Sequence, residues 1–358
     1  MRTDSSTGAE GESLVPDSRV DRLDRQIVNA LQIEPRASWS KVGAVLGVDA
    51  VTAARRWNRL RAAGLAWVTA HASGAGAARL AIVEVECAGH PLEVAGTLVH
   101  DPECLTLDIT SGGRDLLIGV GVADEAALAD YVLRRLGAGP QVRAVRTQIV
   151  ASFVKESVDW RLGELGPEQL GRFTAQGARG DPPGSRAPTE PGPAALTELD
   201  REVLAVLGED GRTPATEIAA RTGVPVRRVR DVVHRLLTRH RVVLWTDVSR
   251  AMTGRSVQAW YFIRVSARRL AGVAAQLARL EEARLVVSTI GTYNLVVCVW
   301  MRDLTEVTRL EAQIEDGLDG VRIVDRCVTL RTVKRAGNLL DARGRTAGPA
   351  AGAERDAW

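Results

Sequence analysis

Apolar positions recur with a helical period near the start of the chain. Leu23, Ile27 and Leu31 fall every four residues and share one face of a helix. Asp21 is placed to cap its start, and Pro35 sits just beyond its end. A second short helix over about 38–46 turns Val42, Val45 and Leu46 inward, and Gly47 offers the permissive backbone of a tight turn. Asp49 caps a third helix over roughly 50–62, with Ala53, Trp57 and Leu60 on one side and Gly64 placed to end it. The order returns with Leu199, Val203 and Leu207, a helix over 216–221, Gly223, and a helix over 226–238.

Behind each three-helix pattern the period switches between strand and helix. Strand patterns at 80–87, 104–110, 115–122 and 142–153 enclose helical ones at 92–99 and 125–136. The second series runs 257–265, 269–280, 284–290, 294–300, 304–315 and 321–332. The order β-α-β-β-α-β predicts a four-stranded antiparallel sheet with both helices on one face, a ferredoxin-like fold. The bare face of such a sheet needs a cover, and a second sheet of the same kind supplies it. The two copies, or two chains, are expected to associate there.

The two series are one internal repeat. Leu23-Asp24-Arg25, Leu31, Arg36, Gly47-Val48 and Arg59-Leu60 reappear 176 positions on as Leu199-Asp200-Arg201, Leu207, Arg212, Gly223-Val224 and Arg235-Leu236. Farther along the offset is 179: Gly112 and Asp115 answer to Gly291 and Asn294, and Val154-Lys155 to Val333-Lys334. Only three lysines exist (41, 155 and 334), and two of them match. A period this long describes two copies of a two-domain module rather than a solenoid unit.

The expected class is α+β: two winged-type helix-turn-helix domains at 17–70 and 196–247, each followed by a ferredoxin-like βαββαβ domain, at 78–156 and 255–335. Residues 1–16, rich in Ser, Gly and Glu, read as a disordered arm, and 341–358 as a flexible tail. The span 157–195 reads as a linker, with five prolines between 178 and 195.

Composition adds little. With 45% hydrophobic and 25% charged residues the chain has the make-up of a soluble globular protein. A net charge of +3 is too small to identify a partner, so only local clusters count. The absence of an apolar leader or of about 18 consecutive apolar residues predicts a cytoplasmic protein without a membrane partner. Cys87, Cys104, Cys298 and Cys327 show no CxxC spacing and read as small apolar residues in a reducing compartment. No catalytic or metal-ligand constellation and no phosphate-cradling loop stands out, so neither a cofactor nor an enzymatic activity is expected.

One cluster does count. A glycine turn between the second and third helices describes a helix-turn-helix, whose third helix presents its solvent face to DNA. That face offers Thr52, Arg55, Arg56, Asn58 and Arg59 in the first copy, and Arg227, Arg228, Arg230, His234 and Arg235 in the second. Arg and Asn make two-pronged contacts to base edges, and Arg also anchors phosphates. Double-stranded DNA is the expected partner.

Leu23-Asp24 and Ile27 in the first helix, Arg36, Gly47-Val48, the Arg56/Leu60/Gly64 spacing, Gly112-x-x-Asp115 before a strand, and Val154-Lys155 together resemble the Lrp/AsnC, or feast/famine, transcriptional regulators. The resemblance spans about 20–155 and again 196–335. Such regulators carry one helix-turn-helix and one effector domain per chain and dimerise through the sheets, so it implies a fused, duplicated form. It also implies homo-oligomers built through effector-domain sheets and a small effector, commonly an amino acid, bound near the Gly-x-x-Asp loop. Here that loop maps onto Gly112, Gly113 and Asp115, and onto Gly291, Thr292 and Asn294. A turn that simply requires Gly and Asp chemistry is the competing reading of those residues. The second copy departs from the pattern at Pro225, Val232 (for Arg56), His240 (for Gly64) and Asn294 (for Asp115). Fused pairs of such modules also occur as siroheme decarboxylases, which hold the tetrapyrrole with His and Arg. No histidine follows position 240 here, and only His71 lies just ahead of an effector domain.

Overall fold

The computed structural model describes residues 20–72, 79–175, 196–239 and 242–350. The arm at 1–16, the Pro-rich span 178–195, His240 and the last part of the tail, 351–358, lie outside the described residues.

Three short helices open each half for the reasons their termini suggest. α1 (Arg22–Ile33) starts in a capping box: the Asp21 side chain accepts from the Asp24 N–H, and Asp24 reaches back to the Asp21 N–H. α2 (Trp39–Leu46) is capped by Ser38 and ends at Gly47, with φ at 72°. α3 (Ala50–Ala62) is capped by Asp49. Ile27, Leu31, Val42, Ala53, Trp57 and Leu60 form their shared core. A strand, β1 (Ala66–Ala72), follows.

The first sheet domain then runs β2 (Arg79–Cys87), α4 (Pro91–Leu98), β3 (Cys104–Thr110), β4 (Leu116–Val122), α5 (Glu125–Asp130, continued as a wider π-helical turn over Tyr131–Leu136) and β5 (Val142–Lys155). A short helix, α6 (Pro167–Ala175), leads toward the second half. There α7 (Glu198–Glu209), α8 (Ala215–Thr222) and α9 (Val226–Thr238) precede β6 (Val242–Val248). The second sheet domain comprises β7 (Val257–Val265), α10 (Leu270–Ala278), β8 (Ala283–Ile290), β9 (Leu295–Met301), α11 (Leu304–Gly317) and β10 (Val321–Arg335), and a hairpin of β11 (Asn338–Leu340) and β12 (Thr346–Pro349) closes the described chain.

The two sheets join at both margins. Strands follow the order β10-β3-β4-β2-β5-β8-β9-β7, and β7 pairs back onto β10, so eight strands close a ring. β5 pairs first with β2 and then, past Ile149, with β8; β10 does the same with β7 and β3. One core lies outside each sheet beneath its helices, and a third, with Ile82, Leu117, Trp260, Phe262, Val287 and Val296, lies between the sheets. Of the two associations expected, copy with copy or chain with chain, the structure shows the first: the sheets of the two halves pair within one chain.

Three expectations change. No wing hairpin forms within either helical unit among the described residues. Instead β1 and β6, one from each half, pair antiparallel from Ala66↔Val248 to Ala72↔Val242. The supposed linker at 157–195 is ordered over 157–175 and strapped to the first helical unit. Asn29 Oδ1 accepts from the Glu164 and Leu165 N–H groups, Gln32 Oε1 accepts from Leu162, and Phe173 is buried with Lys41 over its ring. The tail read as flexible from 341 contributes β12, whose Thr346 N–H donates to the Gly64 carbonyl at 2.9 Å. Gly64 has φ at 66°, and a Cβ there would lie 2.6 Å from the Thr346 oxygen, so a tertiary contact adds to its backbone requirement.

Candidate DNA-binding and ligand-binding sites

The two helical units are held together in reciprocal fashion. Arg36 Nη1 and Nη2 donate to the Gly211 and Thr213 carbonyls at 2.5 and 3.0 Å; Arg212 donates to Pro35 and Ala37 at 2.5 and 2.9 Å. The Arg212 guanidinium also lies 4.1 Å over the Trp39 ring. Burial, with Arg36 alongside, lowers the Arg212 pKa to about 10, still well above neutrality. A cleft of about 290 Å³ opens between the units, lined by residues that include Trp39, Asn58, Arg61, Asp210 and Arg221.

Within this frame the arginines of the third helices divide into two kinds. On α3, Arg56 pairs with Asp21 and Asp24 at 2.6 and 3.0 Å, Arg59 pairs with the fully buried Asp24, and Arg61 pairs with Asp210 at 2.9 Å. On α9, among the described residues, only Arg235 is held, by Asp200. Arg56, Arg59 and Arg235 thus tie the third helix to the first in their own unit, while Arg59 and Arg235 stay about half exposed. Asn58 is exposed but faces the cleft. Thr52 is half-buried and Arg55 is exposed; Arg227, Arg228, Arg230 and His234 are exposed as well. The repeat displayed Asp24 and Asp200 at matched positions, yet nothing in the sequence pairs an acid in the first helix with an arginine 35 residues on.

The Gly-x-x-Asp loop does two things. Its acid and amide brace the first strand of each sheet: Asp115 Oδ2 accepts from the Cys87 N–H at 2.7 Å, and Asn294 accepts from and donates to the Val265 backbone at 3.0 and 2.6 Å. Gly112, at φ 94°, with Gly113, Gly291 and Thr292, forms exposed tips. Between them the loops send Arg114 and Tyr293 inward, to meet over Phe262 at 4.1 and 5.0 Å. Arg114 also pairs with Glu84 at 2.7 Å and with Asp325, and Gln148 Nε2 donates to Glu84 at 3.2 Å. Arg114 Nη1 and Gln148 Oε1 are buried without a hydrogen-bond partner. Arg114 and Tyr293 were legible only as equivalent positions in the 179-residue offset, because their side chains differ.

A second polar group fills the opposite part of the interior. Asp108 accepts from Gln258 at 2.6 Å, Trp260 at 3.2 Å and Thr332 at 2.6 Å, and burial raises its pKa. Arg284 stacks on Trp300 at 4.0 Å and donates to Asp247 at 3.1 Å, leaving Nη1 unpartnered; Arg335 lies 5.0 Å from the same ring. Arg250 is buried nearby, its pKa lowered to about 10 by burial beside Arg335. Among the described residues no group of His, Cys, Asp or Glu is arranged to hold a metal, and no helix is long and apolar enough to cross a membrane.

Two helix-turn-helix units on a double-sheet scaffold, with polar side chains gathered between the sheets, define a DNA-binding protein with a ligand-binding domain. The AsnC-type helix-turn-helix domain matches residues 20–61 and again 196–237, and the Lrp/AsnC ligand binding domain matches 80–160. The chain belongs to the Lrp/AsnC family of helix-turn-helix transcription regulators. An uncharacterized HTH-type transcriptional regulator of Pyrococcus abyssi is 29% identical over 143 residues, covering 40% of this chain and 90% of its own. The regulator FL11 of the same organism is 28% identical over 145 residues, covering 40% and 95%. The crystal structure of the siroheme decarboxylase NirDL superposes with a TM-score of 0.58 at 14% identity, covering 88% of this chain and 93% of that one. At that identity the likeness is one of fold.

Proposed function

We propose that this chain is a sequence-specific DNA-binding regulator whose affinity is tuned by a small effector such as an amino acid. Helix-turn-helix units at 17–70 and 196–247 are carried by ferredoxin-like domains at 78–156 and 255–335, which pair within the chain. The reciprocal Arg36/Arg212 clamp carries the reading: it holds α3 and α9 in one body, as two half-sites on one duplex require. The effector is placed at the Gly112-Gly113-Asp115 and Gly291-Thr292-Asn294 loops. Arg114 beneath them offers a donor for a carboxylate, and Gln148 an acceptor for an ammonium. An effector acts only through a difference in affinity between two arrangements.

The buried arginines around Trp300, together with the likeness of fold to NirDL, favour one second reading, a siroheme decarboxylase-like enzyme. One purified sample separates the two. The regulator binds duplex from its own promoter region more tightly than scrambled duplex at physiological salt, and siroheme incubated with it keeps its carboxylates by mass spectrometry. Equal affinity for both duplexes rejects the regulator; carboxylate loss establishes the enzyme.

A further inference from the structure

The two third helices carry four arginines each, and the fold spends them differently. On α3 three of the four are bound in ion pairs with Asp21, Asp24 and Asp210. On α9 one is, and Arg227, Arg228 and Arg230 stand exposed without an ion-pair partner among the described residues. At the matching places α3 has Val51, Thr52 and Ala54, and Val51 is 76% exposed. An apolar side chain left in solvent on such a helix suits the methyl group of thymine, and the adjacent Arg55 suits a guanine edge. Three neighbouring guanidinium groups suit phosphates.

The surroundings differ in the same sense. Asp49 caps α3 and would set a carboxylate beside a phosphate at its start; α9 begins at Pro225 and has no acid there. The unit of α3 shares one apolar core with Trp160, Phe173, Met252 and Trp300, so it is anchored to the strap and to the second sheet domain. The unit of α9 packs about a separate core, which Ala70 of β1 joins and which, among the described residues, reaches the first core only through Leu244. Reading base edges requires fixed placement; gripping phosphates tolerates adjustment.

We infer that the two helix-turn-helix units divide recognition of a single DNA duplex: α3, through Val51 and Arg55, discriminates sequence, and α9, through Arg227, Arg228 and Arg230, supplies salt-dependent affinity for the phosphate backbone. This rests on the regulator reading above. The division implies a site whose two halves are unequal, with base identity constrained at one half.

The test uses the full-length chain, a duplex selected by it from a random-sequence library, and a scrambled duplex of the same length. Binding is measured across a salt series. Arg227→Ala/Arg228→Ala/Arg230→Ala is expected to shallow the slope of log affinity against log salt by about 2.7, from three lost phosphate contacts. The ratio of affinities for selected and scrambled duplex should be retained. Val51→Ala/Arg55→Ala should reduce that ratio by roughly tenfold or more and change the slope by less than about one. The corresponding triple Lys variant keeps the wild-type slope, which separates loss of charge from loss of fold. A triple Ala variant that loses discrimination at an unchanged slope overturns the division of labour. A wild-type chain that enriches no sequence and shows no salt-dependent duplex binding overturns the regulator reading itself.

Discussion

Asp24 shows how one residue changes the meaning of its neighbours. It is fully buried, closes the capping box of α1, and accepts from Arg56 and Arg59 at once. Those arginines look from sequence like DNA contacts, because an amphipathic pattern tells which face of a helix is wet but not which acid stands opposite. Asp200 holds Arg235 alone, since Val232 replaces the other arginine and is buried. Asp24→Asn is expected to destabilise the first unit by about 2 kcal/mol. That is below the roughly 3–5 kcal/mol for breaking a fully enclosed pair, because the Arg59 side chain is half exposed. Asp200→Asn should cost less. Chemical denaturation followed by tryptophan fluorescence checks both, and equal losses would contradict the unequal pairing.

Among the elements, the strands after the third helices were the hardest to foresee. β1 and β6 pair across halves, so neither has a local partner that sequence proximity would reveal. α6 was missed for a related reason: it is short, and the segment leading into it is anchored by polar side chains of α1 some 130 residues earlier. The ribbon and the Arg36/Arg212 clamp together set the separation of α3 and α9. Arg36→Ala/Arg212→Ala is expected to weaken binding to the preferred site several-fold and to flatten the dependence of affinity on half-site spacing. Fluorescence anisotropy with half-sites moved apart in single base-pair steps measures this. A spacing dependence unchanged from wild type would show that the ribbon alone holds the geometry.

For the molecule as a whole, closure of the eight-stranded ring is the dominant fact. Both long strands, β5 and β10, cross from one sheet to the other, and each sheet uses the other as its cover. A protease site introduced between residues 176 and 195, once cut, should leave two fragments that elute together on gel filtration. Separation under native conditions would refute the closed ring. What the sequence determined by itself was local order, with helix ends, glycine turns and strand periods each set by neighbours within a few positions, and its repetition at offsets of 176 and 179 residues. Only the tertiary structure decided which arginines are free, which strands pair across halves, and that Arg114 and Tyr293 meet over Phe262. Those outcomes depend on contacts between groups more than a hundred residues apart or on the choice among competing acids, and periodicity encodes a face, not its partner.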